Sequence, residues 1–186
     1  MLEQKHIFLA VPLPKRFRSD FLDIQQQILS KREYLIPVDS KIPHITLFNF
    51  GNQSKNKLSK ISNIVENKTL ELNNTTLNIN ELGTFKKGKI VYFFKVSESP
   101  QLSNFHNHLK NDLQDYISEH NMVYIPHLTI AKSYQTDSRI NPLKESEIKN
   151  LFNVSWSFRI SELGLYGKDM SKPNPQQEML VRIPIK

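Results

Sequence analysis

One short phrase occurs twice in this chain, and it constrains the fold more than any other feature of the sequence. Residues 42–47 read Ile-Pro-His-Ile-Thr-Leu, and residues 125–130 read Ile-Pro-His-Leu-Thr-Ile. In a β-strand, residues two positions apart point to the same face of the sheet, and their neighbours point to the other face. Each copy is therefore predicted to be a strand that presents a histidine and a threonine together, with its aliphatic residues directed into a core.

The elements predicted around the two copies follow a similar order. Each half offers a strand or strand pair, a helix with an aromatic and aliphatic stripe, the His-x-Thr strand, a short polar helix and further strands. The first helix is expected to run for about five turns from Pro14, and Ser99 is expected to cap the second. Two strands, 155–166 and 178–185, are predicted to close the chain.

This order of elements predicts an α+β fold built as a bilobal duplicated module. Two antiparallel sheets, flanked by helices, are expected to surround a central cleft in which the two His-x-Thr strands face each other. All 186 residues are expected to form a single domain of two pseudo-symmetric lobes.

Composition limits the classes of protein and of partner. The chain has 38% hydrophobic residues and no cysteine, which is typical of a folded protein without disulfides or thiolate chemistry. The sequence contains no run of about 18 apolar residues and no N-terminal export pattern, so we expect a cytoplasmic protein that does not enter a membrane. The net charge of +7 favours anionic partners, such as molecules that carry phosphate.

Two imidazoles that face each other suit paired acid–base catalysis. A neutral histidine takes a proton from the attacking group, and a protonated one gives a proton to the leaving oxygen. The hydroxyls of Thr46 and Thr129 can donate hydrogen bonds to phosphate oxygens that gain charge in the transition state. His44 and His127 are thus candidate catalytic residues for a reaction at a phosphodiester or cyclic phosphate. No metal is expected, because two histidines without Asp, Glu or Cys at suitable spacing fall short of a zinc site. No cofactor is expected either, since the sequence has no Gly-rich phosphate loop to bind a nucleotide cofactor.

The doubled motif, Pro-His-Ile-Thr-Leu and Pro-His-Leu-Thr-Ile, resembles the signature of the 2H phosphoesterase superfamily. The chain is most similar to the 2′-5′ RNA ligase-like branch of that superfamily, the RNA 2′,3′-cyclic phosphodiesterases. Softer similarities are the apolar first strand that ends at Pro14, the Gly-Thr-Phe of residues 83–85 and the Leu-Tyr of residues 165–166. The resemblance implies the bilobal α+β fold, a metal-free mechanism and a substrate that carries a 2′,3′-cyclic phosphate or a 2′-5′ linkage.

By this resemblance, His44 and His127 are the acid and the base, and Thr46 and Thr129 hold the phosphate. We favour His127 as the base that activates water and His44 as the acid, although the pseudo-symmetric sequence does not fix this assignment. The protein is expected to be a monomer that hydrolyses RNA ends or small nucleotides, with 2′-5′ ligation as the reverse reaction. The alternatives are an enzyme that degrades 2′-5′-linked or cyclic oligonucleotide signals and a module that binds nucleotides or RNA without catalysis.

Two further residues are candidates for substrate binding. The branch often has a basic residue four positions after the first histidine, where this chain has Phe48. Strict alternation places Phe48 on the face of His44, where it could stack on a base, and the alternative is a core aromatic at the end of the strand. Lys132 matches a basic position that often follows the second motif. Alternation points Lys132 away from His127 unless the strand bulges there.

Overall fold

The computed structural model describes residues 5–39, 41–87, 89–118, 123–133, 142–149, 151, 155–171 and 176–186. These residues form nine β-strands and four α-helices. The strands are Lys5–Pro12 (β1), Leu35–Pro37 (β2), His44–Gln53 (β3), Thr76–Lys87 (β4), Lys89–Val96 (β5), His127–Ser133 (β6), Trp156–Arg159 (β7), Glu162–Lys168 (β8) and Gln177–Pro184 (β9). The helices are Arg18–Leu29 (α1), Lys55–Glu66 (α2), Pro100–Asp112 (α3) and Glu145–Lys149 (α4).

The strands pair antiparallel in the order β7-β4-β5-β6-β3-β1-β8-β9, and β2 pairs with β6. The α+β fold predicted from the sequence is confirmed. The two antiparallel sheets predicted from the sequence are instead one continuous sheet, in which two groups of four strands meet where β3 lies beside β6. The register of that junction contains one residue pair, Ile45 with Leu128. Beyond this pair the edge of β6 is taken by β2, so the two His-x-Thr strands start side by side and then diverge.

The predicted single strand 155–166 is in fact two strands that belong to different groups. β7 pairs with β4, whereas β8 pairs with β1 and β9. The change of partner occurs at residues 160–161, where Ile160 donates its N–H to Thr75 and Ser161 accepts a hydrogen bond from Ile185. Since only two residues join β7 to β8, the distant parts of the strand order are close in space, and the sheet must curve strongly.

Helices cover one side of the sheet and create the main core. The helix predicted after Pro14 begins with a 3₁₀ turn, Lys15–Phe17, and continues as the 12 residues of α1. The predicted cap of α3 is confirmed, because Ser99 Oγ accepts a hydrogen bond from the Leu102 N–H at 3.3 Å. A small second cluster, Phe8, Ala10 and Tyr166, lies apart from the main core. None of the helices in the described residues is both long and apolar enough to cross a membrane.

Candidate active site

The two motif histidines occupy equivalent positions, since His44 is the first residue of β3 and His127 is the first residue of β6. The aliphatic residues that follow each motif histidine are buried in the main core; these are Ile45, Leu47, Leu128 and Ile130. The two histidines, together with Thr46 and Thr129, are only partly buried. The alternation predicted for the first three residues of each strand is therefore confirmed.

A β-bulge interrupts this alternation directly after the threonine of β3. Ala10 of β1 pairs with Thr46, and Leu9 pairs with Phe48, so Leu47 has no partner of its own. The extra residue shifts the side-chain pattern by one position. Phe48 consequently joins Leu47 in the main core, with 4% of its surface exposed.

The expectation that Phe48 shares the face of His44 is thus wrong. The bulge turns the Phe48 ring onto the imidazole of His106, with ring centroids 4.3 Å apart. Asn49 takes the outward position instead, and it pairs with Phe8, whose ring stacks on His44. Contact between Phe48 and a substrate base stays a prediction.

The same bulge occurs at the same position of β6. Phe93 of β5 pairs with Thr129, and Tyr92 pairs with Ala131, so Ile130 is the extra residue. Alternation alone pointed Lys132 away from His127 unless β6 contained a bulge. That bulge is present, and Lys132 therefore lies on the same side of the strand as His127.

One cavity of about 450 Å³ collects most of the predicted residues. His44, His127, Thr129 and Lys132 all line it, and we call it the histidine cavity. Its volume lies within the range of small-molecule sites. Thr46 is not among its lining residues.

Each motif histidine is oriented by the backbone of its own motif. The Nδ1 atoms of His44 and His127 lie 2.7 Å from the carbonyl oxygens of Ile42 and Ile125, respectively. A carbonyl can only accept a hydrogen bond, so Nδ1–H is the donor in both rings. In the neutral imidazole the other nitrogen, Nε2, then has a free lone pair that can accept a proton.

Aromatic rings pack against both imidazoles, in different orientations. The His44 ring is stacked with Phe8 at 4.7 Å and with Tyr166 at 5.6 Å between centroids. The His127 ring meets Phe85 nearly perpendicularly, at 5.1 Å and 84°. These rings remove water from the imidazoles, and burial lowers the pKa of both His44 and His127 below the usual value.

A second cavity, of about 470 Å³, adjoins the first at Phe85 and His127. Its walls are mainly apolar, and we call it the apolar cavity. Thr46 and Phe48 line it, as does Tyr124, whose ring stacks on His106 at 3.8 Å. Phe85 is partly exposed and borders both cavities, so a flat aromatic ligand could pack against it.

Positive charge is concentrated near the histidine cavity. Burial and the neighbouring charges of Lys168 and Lys89 lower the pKa of Lys132. Lys168 also acts on His44, where it opposes protonation. Sequence reasoning missed Lys168, Phe85 and Tyr166 as residues of the site, because none of them belongs to a motif and each arrives from a distant strand or hairpin.

Among the described residues, no three His, Cys, Asp or Glu side chains are grouped as metal ligands would be.

The sequence as a whole matches a known family. A model described as the 2′-5′ RNA ligase superfamily matches residues 15–171, most of the chain. A protein of Bacillus cereus (strain AH820), named as a phosphoesterase, is 26% identical over 110 residues. That alignment covers 59% of this chain and 63% of the relative, so the chain spans less than two thirds of the relative's length.

Solved structures share the fold. TT0787 of Thermus thermophilus superposes with a TM-score of 0.76 at 19% identity, covering 97% of both chains. LigT of E. coli in complex with 3′-AMP gives a TM-score of 0.69 at 20% identity, covering 99% of both chains. These similarities extend over nearly the full chain and establish a common architecture.

Proposed function

Because this chain belongs to the 2′-5′ RNA ligase superfamily, we propose that it is a phosphodiesterase that hydrolyses 2′,3′-cyclic phosphate ends of RNA or small nucleotides without a metal ion. One observation carries the proposal: His44 and His127 line the same cavity, and both rings use Nδ1 for a backbone hydrogen bond. The two Nε2 atoms are left as the proton-transfer atoms on either side of a bound phosphate.

The proposed reaction needs only water and the two histidines. Neutral His127 accepts a proton from a water molecule as the water oxygen forms a bond to phosphorus. The bond from phosphorus to one ribose oxygen breaks, and protonated His44 gives its proton to that oxygen. The side chains of Thr46, Thr129 and Lys132 are proposed to bind the non-bridging oxygens, which gain negative charge in the transition state.

One charge near His44, that of Asp39, supports its assignment as the acid. After burial and the hydrogen bond to Ile42, Asp39 has the next largest effect on the pKa of His44, and it favours the protonated ring. Lys168 and His127 oppose protonation of His44, each with a smaller effect. For His127, burial lowers the pKa, and a hydrogen bond to Ile125 partly opposes it.

The apolar cavity supports a nucleotide as the substrate. Phe85 and Tyr124 give it the aromatic walls that nucleobases stack on, and Phe48 lines the same cavity. LigT, which shares the fold, has been crystallised with 3′-AMP and with ATP.

The arrangement of cavities also favours a second candidate, a phosphodiesterase for 2′-5′-linked oligonucleotides. The histidine and apolar cavities meet at His127, so a phosphate there could carry a nucleoside on each side. A 2′-5′ linkage has this form, whereas a terminal cyclic phosphate has a nucleoside on one side only.

A substrate panel tests the proposal and separates the candidates. Nucleoside 2′,3′-cyclic phosphates, cyclic dinucleotides and 2′-5′ dinucleotides are incubated with the protein in EDTA, and products are identified by mass and phosphatase sensitivity. We expect ring opening of the cyclic phosphates to persist in EDTA. Loss of turnover on chelation would refute the metal-free mechanism, and binding without turnover over the whole panel would show a binding module instead.

We propose a cytoplasmic monomer in which the whole chain is one domain of two pseudo-symmetric lobes. The continuous main core, to which both strand groups contribute, supports the single domain, and the absence of cysteine fits a reducing compartment. Light scattering with size exclusion tests the monomer, since the chain mass is 21.8 kDa.

A further inference from the structure

A third cavity, of about 410 Å³, lies beside the histidine cavity, where β7 turns into β8. Residues 158–162 of that turn form one wall, and the start of α1 forms another. Ile42, two residues before His44, lines both this cavity and the histidine cavity. The two cavities are therefore neighbours.

Basic side chains outnumber acidic ones in the lining of this third cavity, which we call the basic cavity. One carboxylate, Glu162, faces five cationic side chains: Lys15, Arg18, Lys41, Arg159 and Arg182. Such an excess of one sign in a concave surface concentrates anions.

Local partners use only part of this positive charge. Arg182 pairs with Glu162 at 3.4 Å, and Arg159 donates to Asn73 at 2.8 Å. Within the part of the chain that the structure describes, the side chains of Lys15, Arg18 and Lys41 have no carboxylate partner. The cavity thus keeps cations that are available to a ligand.

Two buried donors in the cavity wall point to the chemistry of that ligand. Arg18 Nε and the Tyr166 hydroxyl are both inaccessible, and neither has a hydrogen-bond partner among the described residues. Tyr166 as a whole has no exposed surface. Burying a donor without an acceptor costs free energy, so an oxygen-rich anion would stabilise both groups. Burial raises the pKa of Tyr166 to about 12, which keeps its hydroxyl protonated and able to donate.

Tyr166 connects the basic cavity to the catalytic histidine. Its ring is stacked with the His44 imidazole at 5.6 Å, and the residue also lines the basic cavity. The charges of Glu162, Arg18 and Arg182 act on its hydroxyl. The two sites are thus separated by about the length of one tyrosine side chain, which is the scale of a single nucleotide unit.

We propose that the basic cavity is a second phosphate subsite, which binds the phosphodiester on the 5′ side of the terminal nucleoside while the terminal phosphate lies between the histidines. This inference rests on the proposed function, because it assumes that the histidine cavity binds the terminal phosphate of a strand. It follows that the natural substrate is an oligonucleotide, since a mononucleotide leaves the second subsite unused.

Binding measurements test the subsite without requiring turnover. The probes are a ribotrinucleotide that ends in a 3′-phosphate, the matching nucleoside 3′-phosphate and inorganic phosphate. Calorimetry measures the affinity of each probe for the native protein and for the variants Arg18→Gln and Lys15→Gln. Lys15 is exposed, so its substitution removes a charge without disturbing buried packing. Lys31→Gln is the control, because Lys31 is exposed beyond the end of α1 and does not line the cavity. Circular dichroism verifies that each variant is folded.

The expected result depends on the length of the probe. Arg18→Gln should lower the affinity for the trinucleotide by about 10-fold, since one charged hydrogen-bonding group is lost. The affinity for the mononucleotide should stay within about 2-fold of the native value. The salt dependence of trinucleotide affinity should fall by about 0.7 in logarithmic slope, the value for one contact to a single strand. Lys15→Gln should change the same probe in the same direction, and Lys31→Gln should change neither.

Two outcomes would overturn the subsite. Equal weakening of both nucleotides in Arg18→Gln would mean that the charge acts on the whole surface. The second outcome combines two results: the native protein binds both nucleotides with the same affinity, and Arg18→Gln no longer binds inorganic phosphate. The cavity would then be a site for free phosphate. Failure to hydrolyse any cyclic phosphate would instead refute the proposed function, and the binding comparison would still decide the subsite.

Discussion

The two motif histidines are held by the same backbone device and lie in different surroundings. In both, Nδ1 bonds the carbonyl two residues earlier at 2.7 Å. The His44 ring is stacked with Phe8 and with Tyr166, whereas His127 is met nearly perpendicularly by Phe85. The shared device fixes which nitrogen is free, and the different surroundings allow the two rings to differ in proton affinity.

Charges separate the two histidines further. Asp39 favours protonation of His44, and Lys168 and His127 oppose it. For His127, the causes of its lowered pKa are burial and the partly opposing hydrogen bond to Ile125. A duplicated motif can thus supply two chemically distinct groups, as a reaction with one acid and one base requires.

Removing each histidine should have the largest effect. His44→Ala and His127→Ala should each lower kcat on a cyclic phosphate by about 10²- to 10⁴-fold. A nitrophenolate leaving group departs without being protonated. With such a substrate we expect His44→Ala to regain much of its lost rate and His127→Ala to regain little. Rates on both substrates decide this, with His108→Ala as the control, since that exposed side chain bonds Glu71 on another surface. Rescue of His127→Ala alone would reverse the two roles.

The two bulged strands give the next comparison, between Lys132 and Asn49. Each lies five residues after its histidine, on the outward side that the bulge creates. Lys132→Ala should lower kcat/KM by about 10- to 100-fold, because the proposed contact between its charge and the phosphate is lost, and Lys132→Arg should retain most of the activity. Asn49→Ala should stay within about 3-fold, because its side chain already accepts a bond from the Gly51 N–H. A larger loss at Asn49 would show that both strands bind phosphate.

Two glycines, Gly83 and Gly164, each lie against an aromatic ring that contacts one of the motif histidines, and substituting them should have a smaller effect. A Cβ at Gly83 would lie 2.6 Å from the Phe93 ring, and one at Gly164 would lie 2.5 Å from Tyr166. Gly83→Ala and Gly164→Ala should each lower the free energy of unfolding by about 1–3 kcal/mol, because an aromatic ring must move. Both should also lower activity, since these rings adjoin the motif histidines.

Gly167→Ala is the matched control for that test. Its Cβ would meet the flexible end of Leu180, which can move without disturbing a ring of the site. Thermal unfolding and kcat, measured together, separate loss of stability from loss of site geometry. Normal kcat in both ring-displacing variants would show that the positions of these rings do not set those of the imidazoles.

The smallest expected effect is a shift of the pH profile. Burial lowers the pKa of both histidines, so kcat/KM should be highest below pH 6.5, where one of the two can be protonated. Lys168→Gln removes a positive charge and should raise the pKa of His44. The part of the pH profile of kcat/KM that reports the titration of His44 then moves to higher pH. Asp39→Asn should move the same part of the profile to lower pH. Imidazole titration by NMR checks both shifts, and equal shifts at His127 would contradict the difference between the sites.

The motif strands were predictable because their signal is local. Alternation within Ile-Pro-His-x-Thr identified β3 and β6, placed their aliphatic residues in the core and grouped each histidine with its threonine. The cap at Ser99 was equally local, since the oxygen and its donor are three residues apart. The family and the α+β fold followed from the doubled motif.

The residues after each threonine were not predictable from alternation. The partner strand determines whether a bulge forms, and neither Leu47 nor Ile130 differs in type from an ordinary core residue. One unpaired residue on each strand is enough to send Phe48 inward and Lys132 outward. Tyr166 was missed for a related reason, because residues 155–166 look like one strand until their partners are known.

The division of the sheet also sets an order in which the protein can be built. The group that contains His127 uses β4 to β7, which follow one another in the chain, whereas the group that contains His44 needs β8 beside β1. When a growing chain has just completed β7, β1 still has an open edge, and the rings that flank His44 are incomplete. One half of the candidate site can therefore form early in synthesis, while the surroundings of His44 are completed only when the strands after β7 have emerged. A nascent chain that is stalled before β8 would hold a folded half and lack the Tyr166 ring that stacks on His44.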